Sequence, residues 1–212
     1  MKKSKIGVIS LIFVFLFILW TILIAIIDVN AIGPNGSKVG FSVLNKFVHN
    51  FFGVNYALYI ITDWLGLIPV AVCLGFAFLG AIQWIKRKRI LKVDKDILLL
   101  GVFYIVVFGV YMLFEYLVIN YRPVLINGYL EASYPSSTTM LTICVMPTAL
   151  ITLNKRIKNK IIKNTVNYII WAFIVFMVVG RLISGVHWFT DIIGGLILSI
   201  GLVLVYSYLV KE

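Results

Sequence analysis

The chain of 212 residues has few of the residues that most often form cross-links or do chemistry. It contains two cysteines, two histidines and eight acidic residues. Cys73 and Cys144 both lie inside apolar runs, which predicts small core residues and excludes a disulfide framework or a cysteine-based metal site. No cluster of metal ligands and no nucleotide-binding loop is found either, so we expect no metal and no cofactor.

Apolar residues, in contrast, are abundant. The sequence is 62% hydrophobic and 13% charged, and its mean hydropathy is +1.05. A soluble domain of this length has no core that could bury so much apolar surface. Several runs also exceed the roughly 18 to 20 apolar residues that span a bilayer. The composition therefore predicts an integral membrane protein.

The distribution of the net charge of +11 indicates how the chain is oriented in the membrane, because 15 of the 19 basic residues lie in alternate loops or at the termini. They are Lys2, Lys3, Lys5, Lys86, Arg87, Lys88, Arg89, Lys92, Lys95, Lys155, Arg156, Lys158, Lys160, Lys163 and Lys211. Loops rich in Lys and Arg stay in the cytoplasm. The pattern predicts cytoplasmic termini and argues against a nucleic-acid partner, with anionic lipid headgroups as a secondary possibility.

Six apolar runs predict an all-α fold, a single membrane domain over residues 1–212, because a backbone in hydrocarbon must satisfy its own hydrogen bonds. The expected spans are 6–27, 56–85, 97–119, 138–153, 166–183 and 191–210. The first is too long for the apolar part of a signal peptide and is interpreted as a retained anchor. The loops 28–55, 120–137 and 184–190 then face away from the cytoplasm.

The first outer loop contains a pattern of its own. Apolar residues recur at helical spacing from Phe41 to Phe52, and polar residues occupy the opposite side. This pattern predicts an amphipathic helix lying in the membrane interface. Two interpretations stay open, a loop helix packed over the bundle and a lid or lateral gate for a lipid substrate.

The polar residues of the outer side are concentrated in two short gaps, 115–139 and 181–191, where we expect the site. Arg181 ends the fifth span, and His187 and Asp191 are four residues apart, a spacing that puts both on one face of a helix. A carboxylate beside an imidazole fixes its tautomer and leaves the other ring nitrogen free to attack. The alternative is an interfacial histidine with a structural carboxylate.

The earlier gap contributes two more elements. In Tyr134-Pro135-Ser136-Ser137-Thr138-Thr139, proline and hydroxyl residues begin the fourth span, where free N–H groups attract an anion. Plain helix capping is the alternative. Arg122-Pro123 follows the third span, and an arginine there could make forked contacts with phosphate oxygens. The alternative is an arginine whose side chain only extends to the membrane interface.

These three blocks resemble the type-2 phosphatidic acid phosphatase superfamily. The family pattern is Lys, six residues and Arg-Pro; then Pro-Ser-Gly-His; then Ser-Arg, five residues, His, three residues and Asp. The third block agrees at Arg181, His187 and Asp191, with Gly180 in place of the family Ser. The other two agree in part, at Arg122-Pro123 and at Pro135-Ser136.

The resemblance implies a membrane lipid phosphatase. His187 would form a phosphohistidine, and Asp191 would orient it. Arg122, Arg181 and the turn of Ser136, Ser137 and Thr138 would hold the phosphoryl oxygens. The substrate would be a lipid phosphate or diphosphate, of the phosphatidic acid or undecaprenyl diphosphate type, at the outer face of a bacterial cell membrane. The sequence carries no signal for an oligomeric state.

Two of the departures from the family pattern change groups that could do chemistry. Glu115 stands where the family has Lys, and Thr138 stands where it has the His that protonates the leaving group. Losing a general acid costs ~10²–10⁴ in rate. We therefore expect either a preference for diphosphates, whose leaving group needs less protonation, or a substitute acid in Glu115 or Glu131. His49 is a remote third candidate.

Two other functional classes stay open on the sequence. One is a non-catalytic relative that binds or transports a lipid phosphate, which the residues at positions 115 and 138 favour. The other is a transporter unrelated to phosphatases, with Asp63 and Glu115 as intramembrane ion or proton sites. A buried capping or hydrogen-bonding role is the simpler interpretation of Asp63.

Overall fold

In the computed structural model, which describes residues 3–211, the chain is all-helical. The helices are α1 Lys3–Ile26, α2 Ser42–Phe52, α3 Tyr56–Leu65, α4 Leu67–Arg87, α5 Lys95–Tyr116, α6 Ser137–Asn154, α7 Lys160–Ile183 and α8 Phe189–Val210. Within the described residues, six spans are long and apolar enough to cross a membrane, with α3 and α4 together forming the second. The all-α class and the six spans are confirmed.

The predicted boundaries needed two corrections. The second span was expected as one helix over 56–85, but it is interrupted at Gly66. Pro69 explains the interruption, because in a continuous helix its ring would collide with the carbonyl of Leu65, to which it has no N–H to donate. The fifth span begins at Lys160 instead of 166, since the Asn159 side chain caps it by accepting from the amides of Ile161 and Ile162.

The central helix of the bundle is α6. In its most apolar window 61% of the residues are buried, against 11% to 39% in the other five spans. It packs against α8, where the backbone of α6 approaches Gly195 closely and Ser199 Oγ donates to the Met140 carbonyl. Small residues on α8 therefore allow the two helices to approach closely.

The loop before α6 is held in the bundle by Tyr134. Its ring stacks on Phe17 of α1 and its hydroxyl lies 2.7 Å from Thr21 Oγ1. A Cβ on Gly194 would lie 2.3 Å from this ring, so only glycine fits on α8 at that point. Tyr134 thereby fixes the start of α6 relative to α1 and α8.

The predicted amphipathic helix is present as α2, and its polar side faces the protein. Asn45 is fully buried and donates to the Gly40 carbonyl and to Thr190 Oγ1. The apolar side chains of Val43, Phe47 and Phe51 are 68% to 73% exposed. A helix that leaves its apolar side open in this way suits the boundary between headgroups and hydrocarbon.

Candidate active site

Four helix ends and two loops meet at one end of the bundle, which we call the site end. The C-termini of α5 and α7 and the N-termini of α6 and α8 lie there, with the connecting loops 117–136 and 184–188. The basic loops 88–94 and 155–159 lie at the opposite end, which we call the basic end. The topology therefore brings the two polar gaps of the sequence together.

His187 lies at the centre of the site end and is 3% exposed. Its Nε2 is 3.2 Å from Nη1 of Arg122 and 3.2 Å from Nη2 of Arg181. A guanidinium only donates hydrogen bonds, so Nε2 accepts and the ring proton is on Nδ1. The nitrogen that faces both arginines is thus the one with a free electron pair.

The other ring nitrogen is held by Ser133. Nδ1 of His187 lies 3.0 Å from Ser133 Oγ and 3.2 Å from the Ser133 carbonyl oxygen, and both oxygens can accept a hydrogen bond from it. The Ser133 hydroxyl donates in turn to Oδ2 of Asp191 at 2.6 Å. Within residues 3–211, Asp191 therefore reaches the imidazole through Ser133 and not by the direct contact that the sequence suggested.

The reason lies in where α8 begins. It starts at Phe189, so His187 precedes the helix and does not share a helical face with Asp191. Asp191 instead caps the helix, accepting from the Trp188 amide at 3.0 Å, and Asn120 Nδ2 donates to its other oxygen at 3.0 Å. The carboxylate is fully buried and each of its oxygens is hydrogen-bonded.

Arg181 is 1% exposed, which is costly for a permanent charge in a membrane protein. Its Nη1 donates to Thr62 at 3.3 Å and lies 3.7 Å from Asp63 Oδ1, and its guanidinium covers the Tyr59 ring at 5.2 Å. Its Nε is buried without a hydrogen-bond partner among the described residues. This guanidinium therefore retains capacity to bind an anion.

Arg122 approaches His187 from a short hairpin in the loop 117–136. The turn is Asn127-Gly128, both at positive φ, and Arg122 N–H donates to the Glu131 carbonyl across the hairpin. Nε of Arg122 also forms an ion pair with Glu131 Oε2 at 3.1 Å. Glu131 thus lies on the side of Arg122 that faces away from the imidazole.

The start of α6 borders the same site. Ser136 is the N-cap, but its hydroxyl donates to Thr139 and its amide to the Asp191 carbonyl, so its own groups are occupied. The amides of Ser137 and Thr138 lie in the first turn, where helical N–H groups have no partner within the helix. Ser137 lines a small cleft together with Glu115 and His187.

A larger cavity of about 480 Å³ opens beside this cleft, between α4, α5 and α6. Asp63, Ser137 and Thr138 lie at its polar end, and most of the remaining lining is apolar. A second cavity of about 570 Å³ continues between α4 and α5 and shares Cys73, Tyr104 and Phe108 with the first. The cluster of Arg122, Arg181 and His187 therefore lies close to a long apolar space.

The electrostatics of the site keep the imidazole uncharged. Burial, followed by the charges of Arg122 and Arg181, holds the pKa of His187 well below its ordinary value of 6.5. A neutral imidazole with Nε2 unprotonated is a nucleophile at neutral pH. In the part of the chain that the structure describes, no group of three or more His, Cys, Asp or Glu side chains could hold a metal ion.

Sequence reasoning missed Ser133 and Asn120. They face each other at the base of the hairpin, where the Ser133 amide donates to the Asn120 carbonyl, and both bond to Asp191. The Asn-Gly pair at 127–128 was the available signal, because that dipeptide favours a two-residue hairpin turn. Once the turn is recognised, residues on either side of it are expected to pair.

Comparison with known proteins agrees with the fold and with the three sequence blocks. A family model described as the PAP2 superfamily matches residues 103–212, which contain all three blocks. The fold is similar to a crystal structure of a transmembrane PAP2-type phosphatidylglycerolphosphate phosphatase from Bacillus subtilis, with a TM-score of 0.61 and 19% identity over 96% of this chain and 98% of that one. No curated protein sequence matches the chain. The chain belongs to the PAP2 superfamily, a family of membrane lipid phosphatases, which rules out a transporter of unrelated ancestry.

Proposed function

We propose that the protein removes a phosphate from a membrane lipid phosphate or diphosphate through a phosphohistidine on His187. One observation carries the proposal: Nε2 of His187 lies 3.2 Å from a donor nitrogen of Arg122 and of Arg181. A phosphoryl group that bonds to both guanidiniums is thereby held against the electron pair of Nε2. Arginine forks match phosphate oxygens in both geometry and charge.

The first step joins phosphorus to Nε2 and breaks the bond from phosphorus to the leaving oxygen. The imidazole becomes positively charged as the P–N bond forms. The Ser133 hydroxyl accepts a hydrogen bond from Nδ1–H of the imidazole and donates one to Asp191. Through this hydroxyl the carboxylate stabilises the positive charge of the imidazole. The free amides of Ser137 and Thr138 contribute to holding the phosphoryl oxygens. Water then attacks phosphorus and returns the electron pair of the P–N bond to Nε2.

The apolar cavities next to the phosphate site suit the tail of a lipid. The first, of about 480 Å³, begins at Ser137 and Thr138 and is otherwise largely apolar. Both candidate classes, phosphatidic acid and undecaprenyl diphosphate, join a charged headgroup to long hydrocarbon chains. The neighbouring cavity between α4 and α5 lengthens the space available to such a chain.

We infer that the protein lies in the cell membrane, with its site end outside the cytoplasm and both termini in the cytoplasm. The support is the distribution of charge: the lysine- and arginine-rich loops 88–94 and 155–159 lie at the basic end, opposite His187. Basic loops are retained in the cytoplasm. Labelling of single-cysteine variants at positions 128 and 158 with a membrane-impermeant reagent in intact cells tests this: only the first should react.

The activity is tested on purified protein in detergent with a chelator present. We expect release of inorganic phosphate from phosphatidic acid or undecaprenyl diphosphate, and its disappearance in H187A. With phosphate-labelled lipid, an alkali-stable, acid-labile label should remain on the wild-type chain and not on H187A. The matched control is H49A, which removes the other histidine and should retain activity. Turnover that persists in H187A contradicts the proposal.

A non-catalytic relative is the second candidate, favoured by Glu115 and Thr138. Glu115 borders the cleft that contains His187, where its charge opposes an anion. Such a protein would bind lipid phosphate at Arg122 and Arg181 without releasing phosphate from it. Binding of labelled lipid without turnover in the wild-type protein would therefore favour this candidate.

A further inference from the structure

Asp63, at the end of α3, shares a guanidinium with the proposed nucleophile. Oδ1 of Asp63 lies 3.7 Å from Nη1 of Arg181, whose Nη2 is 3.2 Å from Nε2 of His187. The Asp63 side chain is 58% exposed, so it is not a buried structural partner of the arginine. A phosphoryl group that binds Arg181 therefore lies next to this carboxyl as well.

The position of Asp63 relative to the apolar cavity defines which side of the phosphorus it faces. Asp63, Ser137 and Thr138 line the polar end of the cavity of about 480 Å³. In phosphoryl transfer the attacking and leaving atoms lie roughly in line on opposite sides of phosphorus. If the tail of the lipid enters the cavity, the oxygen that joins it to phosphorus lies at this polar end, away from His187.

The other carboxyls near the site face elsewhere. Glu131 pairs with Nε of Arg122, in the hairpin and outside the residues that line the cavity. Glu115 borders the small cleft with Ser133 and His187, on the side of the nucleophile. Of the three, Asp63 alone lines the cavity proposed for the tail.

We propose that Asp63 is the catalytic acid and base of the reaction, a role that rests on the proposed function. In the first step, Nε2 of His187 bonds to phosphorus, the electron pair of the breaking P–O bond goes to the leaving oxygen, and that oxygen takes the proton of Asp63. In the second step, Asp63 takes a proton from water as the water oxygen bonds to phosphorus and the P–N bond breaks. Asp63 is protonated again and the enzyme is restored.

The experiment compares leaving groups. An alkyl phosphate, such as dodecyl phosphate, expels an alkoxide that needs a proton, whereas 4-nitrophenyl phosphate expels a phenolate that does not. In D63N we expect the turnover of alkyl phosphate to fall by ~10²–10⁴. With the aryl phosphate we expect a burst of one equivalent of nitrophenolate at close to the wild-type rate, followed by slow turnover, because phosphohistidine accumulates when the base is absent.

The controls are E115Q and E131Q, which make the same chemical change at the two other carboxyls. Each should leave the ratio of alkyl to aryl turnover unchanged. If D63N lowers the aryl burst and the alkyl turnover equally, Asp63 only supports Arg181 and the proposal is overturned. A selective loss of alkyl turnover in E115Q or E131Q, with D63N unaffected, assigns the acid to that residue instead.

Should D63N fail to fold, D63E carries the test. Moving the carboxyl by one methylene should lower turnover of alkyl phosphate more than the aryl burst, and an equal loss overturns the role. Failure of the proposed function has a different signature. It gives no phosphohistidine on the wild-type chain, or turnover that survives H187A, whatever the result for Asp63.

Discussion

The bundle has a cluster of arginines and carboxylates at each end, and the two clusters differ in how their charges are paired. At the basic end, Arg156 holds both oxygens of Asp96, at 2.6 and 2.9 Å, and Arg87 bonds to Asp94 at 2.8 Å. At the site end, the arginines point their terminal nitrogens at a neutral imidazole, and their ion pairs with Glu131 and Asp63 are 3.1 and 3.7 Å long.

The difference separates a structural cluster from the proposed binding site. The paired carboxylates at the basic end connect the loop before α5 to α4 and to the end of α6, and the Asp94 pKa is lowered by its hydrogen bonds to Arg87 and Gln83. At the site end, the buried Nε of Arg181 has no hydrogen-bond partner among the described residues. An unsatisfied buried donor is costly, and a bound phosphate would satisfy it.

Among the tests of this comparison, the largest effect should come from exchanging Arg181 for lysine, with the same exchange at Arg156 as its counterpart at the basic end. R181K keeps the charge but removes the fork that contacts His187 and the phosphate, and we expect kcat/KM to fall by about 10²–10³. R156K at the basic end should leave kcat/KM within about twofold, because its partners are structural. Phosphate release from lipid measures both. Equal losses in the two variants would remove the distinction between the clusters.

The next effect concerns Ser133, which connects His187 to Asp191. In S133A the imidazole keeps the Ser133 carbonyl as partner but loses the hydroxyl, so we expect kcat to fall by about 10–100-fold with little change in KM. The control is S199A, another buried serine, whose hydroxyl on α8 donates to the Met140 carbonyl of α6. Unchanged kcat in S133A would show that Asp191 acts on the helix cap alone.

A smaller effect is expected from pH. The lowered pKa of His187 keeps the free enzyme nucleophilic below pH 6.5, so the acid limb of kcat/KM should lie below that value. The sign is fixed by the direction of the shift: protonation, which abolishes the nucleophile, occurs at lower pH than for a free histidine. An acid limb at or above pH 6.5 that arises from His187 would contradict the lowered pKa.

The smallest effect should be on stability at the basic end. Arg156 is about one third exposed, so its ion pairs are partly screened, and R156A should cost about 1 kcal/mol. The thermal midpoint in detergent should fall by a few degrees, while phosphate release per folded molecule stays unchanged. A loss of activity without a loss of stability would assign Arg156 a role in the site instead.

The success of prediction from sequence differed between spans and site. The spans were predictable because hydrophobic length and basic loops act locally along the chain. The break caused by Pro69 and the cap at Asn159 made the main differences, and the other ends moved by at most three residues. For the site, the spacing of Arg181, His187 and Asp191 identified the groups but not their contacts. The expected helical face failed because α8 starts two residues after His187.

The roles that depend on distant residues could not be read from spacing. Ser133 lies 54 residues before His187 and Asp63 lies 118 residues before Arg181, and neither pair follows a periodic pattern. Such contacts arise when α3, α6, α7 and α8 pack together. The Asn-Gly turn at 127–128 was a local signal for the hairpin that carries Ser133, but it does not reveal the partner of the hairpin.

By itself the sequence determined a six-span helical membrane protein, its charge asymmetry and the short list of polar groups able to act on a phosphate, because hydropathy and charge are properties of each residue. Only the tertiary structure decided that Nε2 is the free nitrogen of His187, that Ser133 lies between it and Asp191, and that Asp63 borders the apolar cavity. Those features depend on distances of a few ångströms between helices that are remote in the chain, and packing alone sets such distances.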